Sequence, residues 1–120
     1  MRLQESGEMY LETILILSQK KDHVRAIDIC EEMNYSKPSV SRALKILREN
    51  SYINVDKNSY ITLTRTGQEV AEKIYERHQV LSEVLINIGV DPEIAIEDAC
   101  RMEHVISDTS FAAIKRSINK

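Results

Sequence analysis

The sequence has few of the residues that build catalytic loops. Only three glycines occur in 120 residues, and there is no Gly-rich phosphate loop, no nucleophile elbow and no HExxH segment. Cys30 and Cys100 stand 70 positions apart without a CxxC pair, which excludes a zinc ribbon. We therefore expect a protein that is not an enzyme and has no small-molecule substrate.

Long hydrophobic runs are also missing. The longest, such as Ile14–Leu17, are far too short to cross a bilayer, and the first residues do not resemble a secretion signal. The sequence thus predicts a cytoplasmic protein with no membrane contact and with both cysteines reduced. Its hydrophobic fraction of 42% is enough for the core of one compact unit or two small ones.

The net charge of −3 conceals an uneven distribution. Residues 36–65 carry six Lys/Arg and two Asp/Glu, a net of +4, whereas residues 1–35 sum to −3 and residues 66–120 to −4. A basic block is often only a solvated surface, but its position in the chain makes a nucleic-acid contact possible. The local structure of this block decides between these two interpretations.

Two short helices with a turn between them are predicted around the basic block. Residues 9–19 have helical spacing, with Ser6 as the predicted cap, and a helix from Ala26 to Met33 follows. Asn34 and Tyr35 then break the pattern, and Ser36 is a good N-cap for the next helix. That helix continues to Arg48, so the pair has the helix-turn-helix arrangement.

A hairpin and three further helices complete the pattern. Residues 52–55 and 60–63 are β-prone and flank a polar tip, which predicts a wing directly after the second helix of the pair. Thr64 or Thr66 then caps a long helix that runs toward Ile88, where Gly89 stops it. The next helix is predicted to reach about Ile106, and a last one covers residues 110–118.

The second helix of the pair is the predicted DNA-reading element, because an α-helix fits the major groove and its N-terminal side chains reach base edges. Its outward positions are polar or basic, and Lys57 at the wing tip can reach a neighbouring phosphate or the minor groove. The predicted DNA-binding residues are Lys37, Ser39, Ser41, Arg42, Lys45, Arg48 and Lys57.

A second constellation has the residue types of a metal site. Cys100, Glu103 and His104 are spaced i, i+3, i+4 and are predicted to share one face of a helix. Met9 and Glu12 are one turn apart on the first helix, and His78 lies on the long helix. Thiolate, thioether, carboxylate and imidazole together suit a transition metal better than Mg²⁺ or Ca²⁺.

The segments EMYLETI, SKPSVSRALKIL, ITLTRTGQEVAEKIYERH and above all ACRMEHVISD resemble the iron-dependent repressor family. This is the superfamily of the diphtheria toxin repressor and the manganese transport regulators, and the similarity covers residues 8–107. The resemblance implies a mainly α fold with a winged helix-turn-helix DNA-binding half at residues 1–66. A helical metal-binding and dimerisation half follows at residues 67–120.

The resemblance also implies a ligand set, which here is a hybrid. Met9, Cys100, Glu103 and His104 fall where the iron-sensing branch has its activating ligands, whereas Glu12 and His78 match ligands of the manganese branch. A histidine of the iron branch's second site is replaced by Ile96, and its SH3-like domain has no counterpart in these 120 residues. Sites with one metal and with two metals both stay open.

The sequence therefore predicts a metal-activated transcriptional repressor of metal-uptake or metal-homeostasis genes, a homodimer on an inverted-repeat operator. Sulfur at Met9 and Cys100 favours Fe²⁺ as the activator, with Co²⁺, Ni²⁺ or Mn²⁺ as possible substitutes. A metal with ligands in both halves would order the DNA-binding heads and thereby couple metal to DNA affinity. The alternatives are an Mn²⁺-responsive member of the family, a winged-helix regulator with a non-metal ligand, a metal-dependent hydrolase and a helical partner-binding module.

Overall fold

The computed structural model describes residues 5–118, which contain six helices and one two-stranded antiparallel sheet. The helices are α1 (Glu5–Lys20), α2 (Ala26–Met33), α3 (Lys37–Glu49), α4 (Arg65–Asn87), α5 (Pro92–Met102) and α6 (Asp108–Ile118). The strands β1 (Ile53–Val55) and β2 (Ile61–Leu63) lie between α3 and α4. The order of the first five elements is that of a winged helix, so the predicted fold class is confirmed.

The chain forms two compact units, the first ending at Glu72 and the second beginning at Lys73. This division lies within α4, whereas the sequence places the functional boundary between residues 66 and 67, which stays a prediction. Among the described helices, none is both long and apolar enough to cross a membrane.

The core of the first unit is formed by the apolar faces of its three helices and the hairpin. Leu11 and Ile14 of α1 are completely buried, as are Ile29 of α2 and Val40 of α3. α1 packs against α2, α3 and β2, while α3 also contacts β1. Because the apolar side of α3 is buried in this core, its opposite, polar side faces the solvent.

The turn between α2 and α3 is closed by local chemistry. Asn34 adopts a left-handed conformation with φ 57° at the end of α2, which asparagine tolerates better than most residues. Ser36 caps α3 because its Oγ accepts the Ser39 N–H at 3.3 Å. Pro38 lies in the first turn, where its missing N–H costs no hydrogen bond. The predicted start of this helix is confirmed.

The wing is a short hairpin in which Asn54 pairs with Thr62. Asp56 orders its tip, because its Oδ1 accepts the N–H of Asn58 at 2.8 Å and that of Tyr60 at 2.9 Å. On the other edge of β2, the Ile61 N–H donates to the Val24 carbonyl at 2.7 Å in an antiparallel bridge. The segment before α2 therefore pairs with the hairpin, which the sequence did not predict.

The base of the wing is joined to the start of α4. Thr64 is the cap of α4, since its Oγ1 accepts the Gly67 N–H at 3.1 Å and donates to the Ser51 carbonyl at 2.7 Å. Thr66, the other predicted cap, lies inside the helix. A Cβ at position 67 would lie 2.0 Å from the carbonyl oxygen of Tyr52, so this close approach requires glycine.

In the second unit, the buried guanidinium of Arg77 connects α4 with the segment that leads into α6. Its Nη1 donates to the carbonyls of Glu103 at 3.2 Å and of Ile106 at 2.7 Å. Its Nη2 pairs with Asp108, and the guanidinium lies 5.5 Å from the ring centroid of Phe111. Lys73 adds a second contact to Asp108 at 3.0 Å. These interactions hold the turn after α5 in place.

Two predicted helix ends are wrong. Ser6 is not the cap of the first helix, because α1 already includes Glu5. α5 ends at Met102 and does not reach Ile106. Beyond Met102 the backbone forms turns in which the N–H groups of Val105 and Ile106 both donate to the Met102 carbonyl, at 3.1 and 3.0 Å. Arg77 then binds the carbonyls of Glu103 and Ile106, which these turns leave without a backbone donor.

The expectation that Cys100, Glu103 and His104 share one face of a helix is therefore only partly correct. Cys100 lies in α5, Glu103 is the C-cap residue, and His104 lies in the turn that follows. Glu103 keeps helical angles, with φ −60° and ψ −25°, and its N–H still donates to Ala99 at 3.0 Å.

Candidate functional site

The exposed face of α3 carries the predicted DNA-reading residues. Val40, Leu44 and Leu47 form its buried stripe. Of the predicted contacts, Lys37, Ser41, Arg42, Lys45 and Arg48 are exposed, and Ser39 is half-buried. The basic side chains of the block are therefore accessible together on one surface, as major-groove binding requires.

Ser39 is engaged within the protein by a short chain of hydrogen bonds. Its Oγ accepts from the hydroxyl of Ser36 at 2.9 Å and from Nη2 of Arg42 at 3.5 Å. The first of these bonds belongs to the cap of α3. We infer that Ser39 orients Arg42, because the side chains lie at i and i+3 on the same helical face.

The wing places Lys57 at its exposed tip. The loop around it is held by the carboxylate of Asp56, which accepts two backbone N–H groups. Lys57 is thus carried on an ordered loop.

A cluster beside the wing was missed by sequence reasoning. The ring of His23 stacks on that of Tyr60, with centroids 4.1 Å apart and planes 6° apart. The guanidinium of Arg25 lies 4.7 Å from the same ring centroid. Residues 20–25 are polar apart from Val24, and no structure or role was predicted for them. The alternation of His23 and Arg25 around the apolar Val24 was the available signal for an extended segment.

Three of the predicted metal ligands come together in the second unit. The carboxylate of Glu103 is completely buried, with Oε2 3.0 Å from Nδ1 of His78. Its Oε1 lies 3.3 Å from Nε2 of His104, whose side chain is 3% exposed. α4 supplies His78, and the turn after α5 supplies the other two.

This group fits a divalent transition metal. A buried carboxylate is costly unless it is paired, yet Oε1 of Glu103 accepts no hydrogen bond from any residue within 5–118. Imidazole and carboxylate are ligands for Mn²⁺, Fe²⁺ and their neighbours in the first transition row. The orphaned oxygen next to an imidazole nitrogen is the arrangement that a cation would satisfy.

The other three predicted ligands are Cys100, Met9 and Glu12. Cys100 is half-buried in α5, one turn before Glu103. Met9 is half-buried in α1 of the first unit, and Glu12, one turn later, is buried. Met9 and Glu12 belong to the first unit. That they bind a metal together with residues of the second unit stays a prediction.

Two family models match consecutive parts of the chain. Residues 2–60 match the iron dependent repressor N-terminal DNA binding domain. Residues 64–120 match the iron dependent repressor metal binding and dimerisation domain. Together these matches confirm the resemblance inferred from the sequence motifs.

Known proteins are similar along most of the chain. An uncharacterised HTH-type transcriptional regulator of Methanocaldococcus jannaschii is 30% identical over 98% of this chain and 96% of its own length. The transcriptional regulator MntR of Escherichia coli is 33% identical over 88% of this chain and 68% of its own. The structure of the manganese regulator SloR superposes with a TM-score of 0.84 at 28% identity, over 99% of this chain and 55% of that one.

The chain thus spans about half the length of that solved regulator but nearly the whole length of the archaeal relative. The solved regulator shares the fold described above, and the relatives from M. jannaschii and E. coli are named as transcriptional regulators. On the two family models and the similarity to these relatives, the chain belongs to the iron-dependent repressor family of DNA-binding transcriptional regulators.

Proposed function

We propose that this protein is a metal-activated transcriptional repressor that controls genes of metal uptake or homeostasis. The observation that carries the proposal is the buried carboxylate of Glu103, which has imidazole nitrogens of His78 and His104 against it and an oxygen without a hydrogen bond. Such a group is costly in a regulator without a metal and useful in one that needs a metal to reach its active state.

The proposed ligands are those predicted from the sequence. His78, Glu103 and His104 are supported by their proximity in the second unit. Cys100, one turn before Glu103, and Met9 and Glu12 on α1 are retained because they match the family's ligand positions. Ligands in both predicted domains would link metal occupancy to DNA affinity, and this linkage would be reciprocal.

Fe²⁺ is the proposed physiological activator, because Met9 and Cys100 offer soft sulfur to the metal. Co²⁺ and Ni²⁺ should act in vitro for the same reason. Mn²⁺ is the second candidate, and a specific observation favours it. Several relatives are named as manganese regulators, and Glu12 and His78 offer oxygen and nitrogen donors, which suit this metal.

The proposed DNA contacts are the exposed residues of α3 and the wing tip. Lys37, Ser39, Ser41 and Arg42 lie in the first half of α3 and are assigned to base edges or phosphates. Lys45, Arg48 and Lys57 are assigned to phosphates. A protein that regulates transcription in this way acts in the cytoplasm, the compartment that we propose.

We further propose a homodimer that binds an inverted-repeat operator. Large apolar side chains of the second unit are exposed in the single chain, among them Ile94 at 53%, Ile88 at 73% and Val105 at 69%. Apolar surface of this kind in a domain of the dimerisation type is suited to a second copy. Light scattering at micromolar concentration should give twice the chain mass, and a monomer with and without metal would refute the dimer.

The decisive experiment is an anaerobic metal titration of the purified protein, combined with selection of its operator from a pool of random DNA duplexes. We expect one or two Fe²⁺ per chain and operator binding that disappears when a chelator is added. Comparison of Glu103→Gln with Glu97→Gln distinguishes loss of a metal ligand from loss of one negative charge. Glu97 is the control because it lies exposed on α5, the helix that Glu103 caps. Equal operator affinity with and without every metal tested would refute metal activation and favour a regulator with a non-metal ligand.

A further inference from the structure

The hairpin carries a surface that is separate from α3 and is ordered by contacts of its own. Val24 is buried and bridges to Ile61 of β2, so residues 23–25 run along the edge of the hairpin. His23 and Arg25 flank Val24, and both are exposed. In an extended segment alternate residues project to the same side, which brings these two side chains to the ring of Tyr60.

The side chains of His23 and Arg25 both pack against the ring of Tyr60. The imidazole of His23 is parallel to it at 4.1 Å, and the guanidinium of Arg25 lies 4.7 Å from its centroid. Tyr60 itself is fixed, because its N–H donates to Asp56 at 2.9 Å and its carbonyl accepts the Asp56 N–H at 3.1 Å. The cluster is therefore preordered, and a ligand that binds it loses less side-chain entropy than on a flexible lysine surface.

The guanidinium of Arg25 forms no direct ion pair within residues 5–118. The neighbouring Asp28 is paired with Lys21 at 2.6 Å. That hydrogen bond from Lys21, together with the backbone N–H of Arg25, holds the pKa of Asp28 below its usual value. Asp28 is thus an anion held by Lys21 and by the backbone N–H of Arg25; it attracts the Arg25 guanidinium without forming a direct ion pair with it.

From these observations we infer that His23 and Arg25, positioned by the ring of Tyr60, form a second contact of this protein with the phosphate backbone of duplex DNA. Arg25 presents planar donors that match phosphate oxygens, and His23 donates a ring N–H in either tautomer. The cluster belongs to the same hairpin as Lys57, whose exposed tip is proposed to meet the backbone as well. The inference depends on the proposed DNA binding and adds a set of residues outside α3.

The test is a set of salt titrations with the full chain, saturating Fe²⁺ and a mixed-sequence duplex of about 40 base pairs, which two heads can cover. Arg25→Gln should weaken binding about 3- to 10-fold at about 0.1 M salt, as expected when one phosphate contact no longer releases a counterion. It should also reduce the slope of log K against log salt by about 0.9. Lys115→Gln, which removes one charge from the second unit, is the control and should leave the slope unchanged.

Two substitutions of Tyr60 test its positioning role. Tyr60→Phe keeps the ring and should bind DNA like the wild type, whereas Tyr60→Leu removes the stacking partner and should weaken binding toward the level of Arg25→Gln. Thermal unfolding of each variant checks the fold, and if Tyr60→Leu is unfolded the Arg25→Gln and His23→Ala variants still decide the question.

The outcomes separate this inference from the proposed function. Wild-type protein that binds no duplex with any metal would refute the proposed function itself. Wild-type protein that binds, with Arg25→Gln and His23→Ala equal to it in affinity and salt slope, would overturn only the second contact. A slope that falls equally in Lys115→Gln would show a general charge effect and would also overturn it.

Discussion

Nδ1 of His78 lies 3.0 Å from Oε2 of the fully buried Glu103, although the two residues are 25 positions apart in the chain. In the tautomer of His78 that donates from Nδ1 to this carboxylate, Nε2 is the ring nitrogen through which His78 would coordinate the proposed metal. A carboxylate that orients a ligating histidine in this way also raises its basicity. In the proposed site Glu103 would therefore have two tasks, one toward His78 and one toward the metal.

Replacing Glu103 by glutamine should lower metal affinity at least about 10-fold, because the substitution removes the anionic oxygen that a cation needs. Bound metal stabilises the folded state by mass action, so Fe²⁺ or Mn²⁺ should raise the melting temperature of the wild type much more than that of Glu103→Gln. Differential scanning fluorimetry under anaerobic conditions measures both. The matched variant Glu97→Gln should respond to metal as the wild type does, and a Glu103→Gln protein that does the same would contradict the assignment.

Exchange of the sulfur ligands should change metal preference. The double variant Met9→Asp, Cys100→Glu replaces soft sulfur by hard oxygen and is expected to shift activation from Fe²⁺ toward Mn²⁺. The measurement is operator affinity at matched free concentrations of the two ions without oxygen. If the wild type already responds to Mn²⁺ at an equal or lower concentration than to Fe²⁺, the iron proposal is wrong and the oxygen and nitrogen ligands dominate.

Arg42→Ala and Lys37→Ala should weaken operator binding without a change in metal affinity measured in the absence of DNA. Both side chains are exposed on α3, and neither belongs to the proposed ligands. Each lost phosphate contact should flatten the salt dependence by about 0.9 in slope, whereas a lost base contact should relax sequence preference instead. Unchanged operator affinity in both variants would mean that α3 is not the DNA-reading helix.

Gly67→Ala should destabilise the first unit by about 2 kcal/mol or more, as overpacking against backbone does. The added Cβ would lie 2.0 Å from the carbonyl oxygen of Tyr52, and neither group can move without disturbing the base of the wing. Urea unfolding followed by circular dichroism measures the change. Thr66→Ala, at an exposed position of the same helical turn, should stay within about 0.5 kcal/mol of the wild type.

Acid should weaken the ion pairs that hold the turn between α5 and α6. The hydrogen bond from Lys73, with further attraction from Arg77, lowers the pKa of Asp108 below its ordinary value of 3.8. A lowered pKa in the folded state means that the stabilisation is complete above this ordinary value and is lost as the pH falls through the folded value. Asp108→Asn should thus be less stable than the wild type at neutral pH, with a difference that shrinks below about pH 4.

Melting curves between neutral pH and pH 3 test this prediction, with Asp98→Asn as an exposed control on α5. The control should follow the wild type through the whole range. A stability difference between wild type and Asp108→Asn that is independent of pH would show that the carboxylate acts through packing and not through its charge.

The local chemistry of the sequence determined much of the fold. Ser36, Pro38 and the apolar spacing from Val40 to Leu47 were enough to locate α3, because capping and helical periodicity act within a few residues. Gly89 marked the end of α4 for the same reason, whereas its start was left open between Thr64 and Thr66 until the structure showed Thr64 as the cap. Residue type, spacing and the family resemblance together singled out six candidate ligands, of which His78, Glu103 and His104 come together in the second unit.

Only the tertiary structure decided where α5 ends and which groups meet beside the wing. Arg77 donates to the carbonyl of Glu103, 26 positions away, and so stabilises the turn that follows Met102, a contact for which the local sequence carries no signal. The stacking of His23 on Tyr60 likewise depends on the bridge between Val24 and Ile61. Such contacts join segments that are distant in sequence, so they stabilise a local structure only once the chain has folded. Helical periodicity and capping, in contrast, depend on neighbouring residues and can be recognised in the sequence.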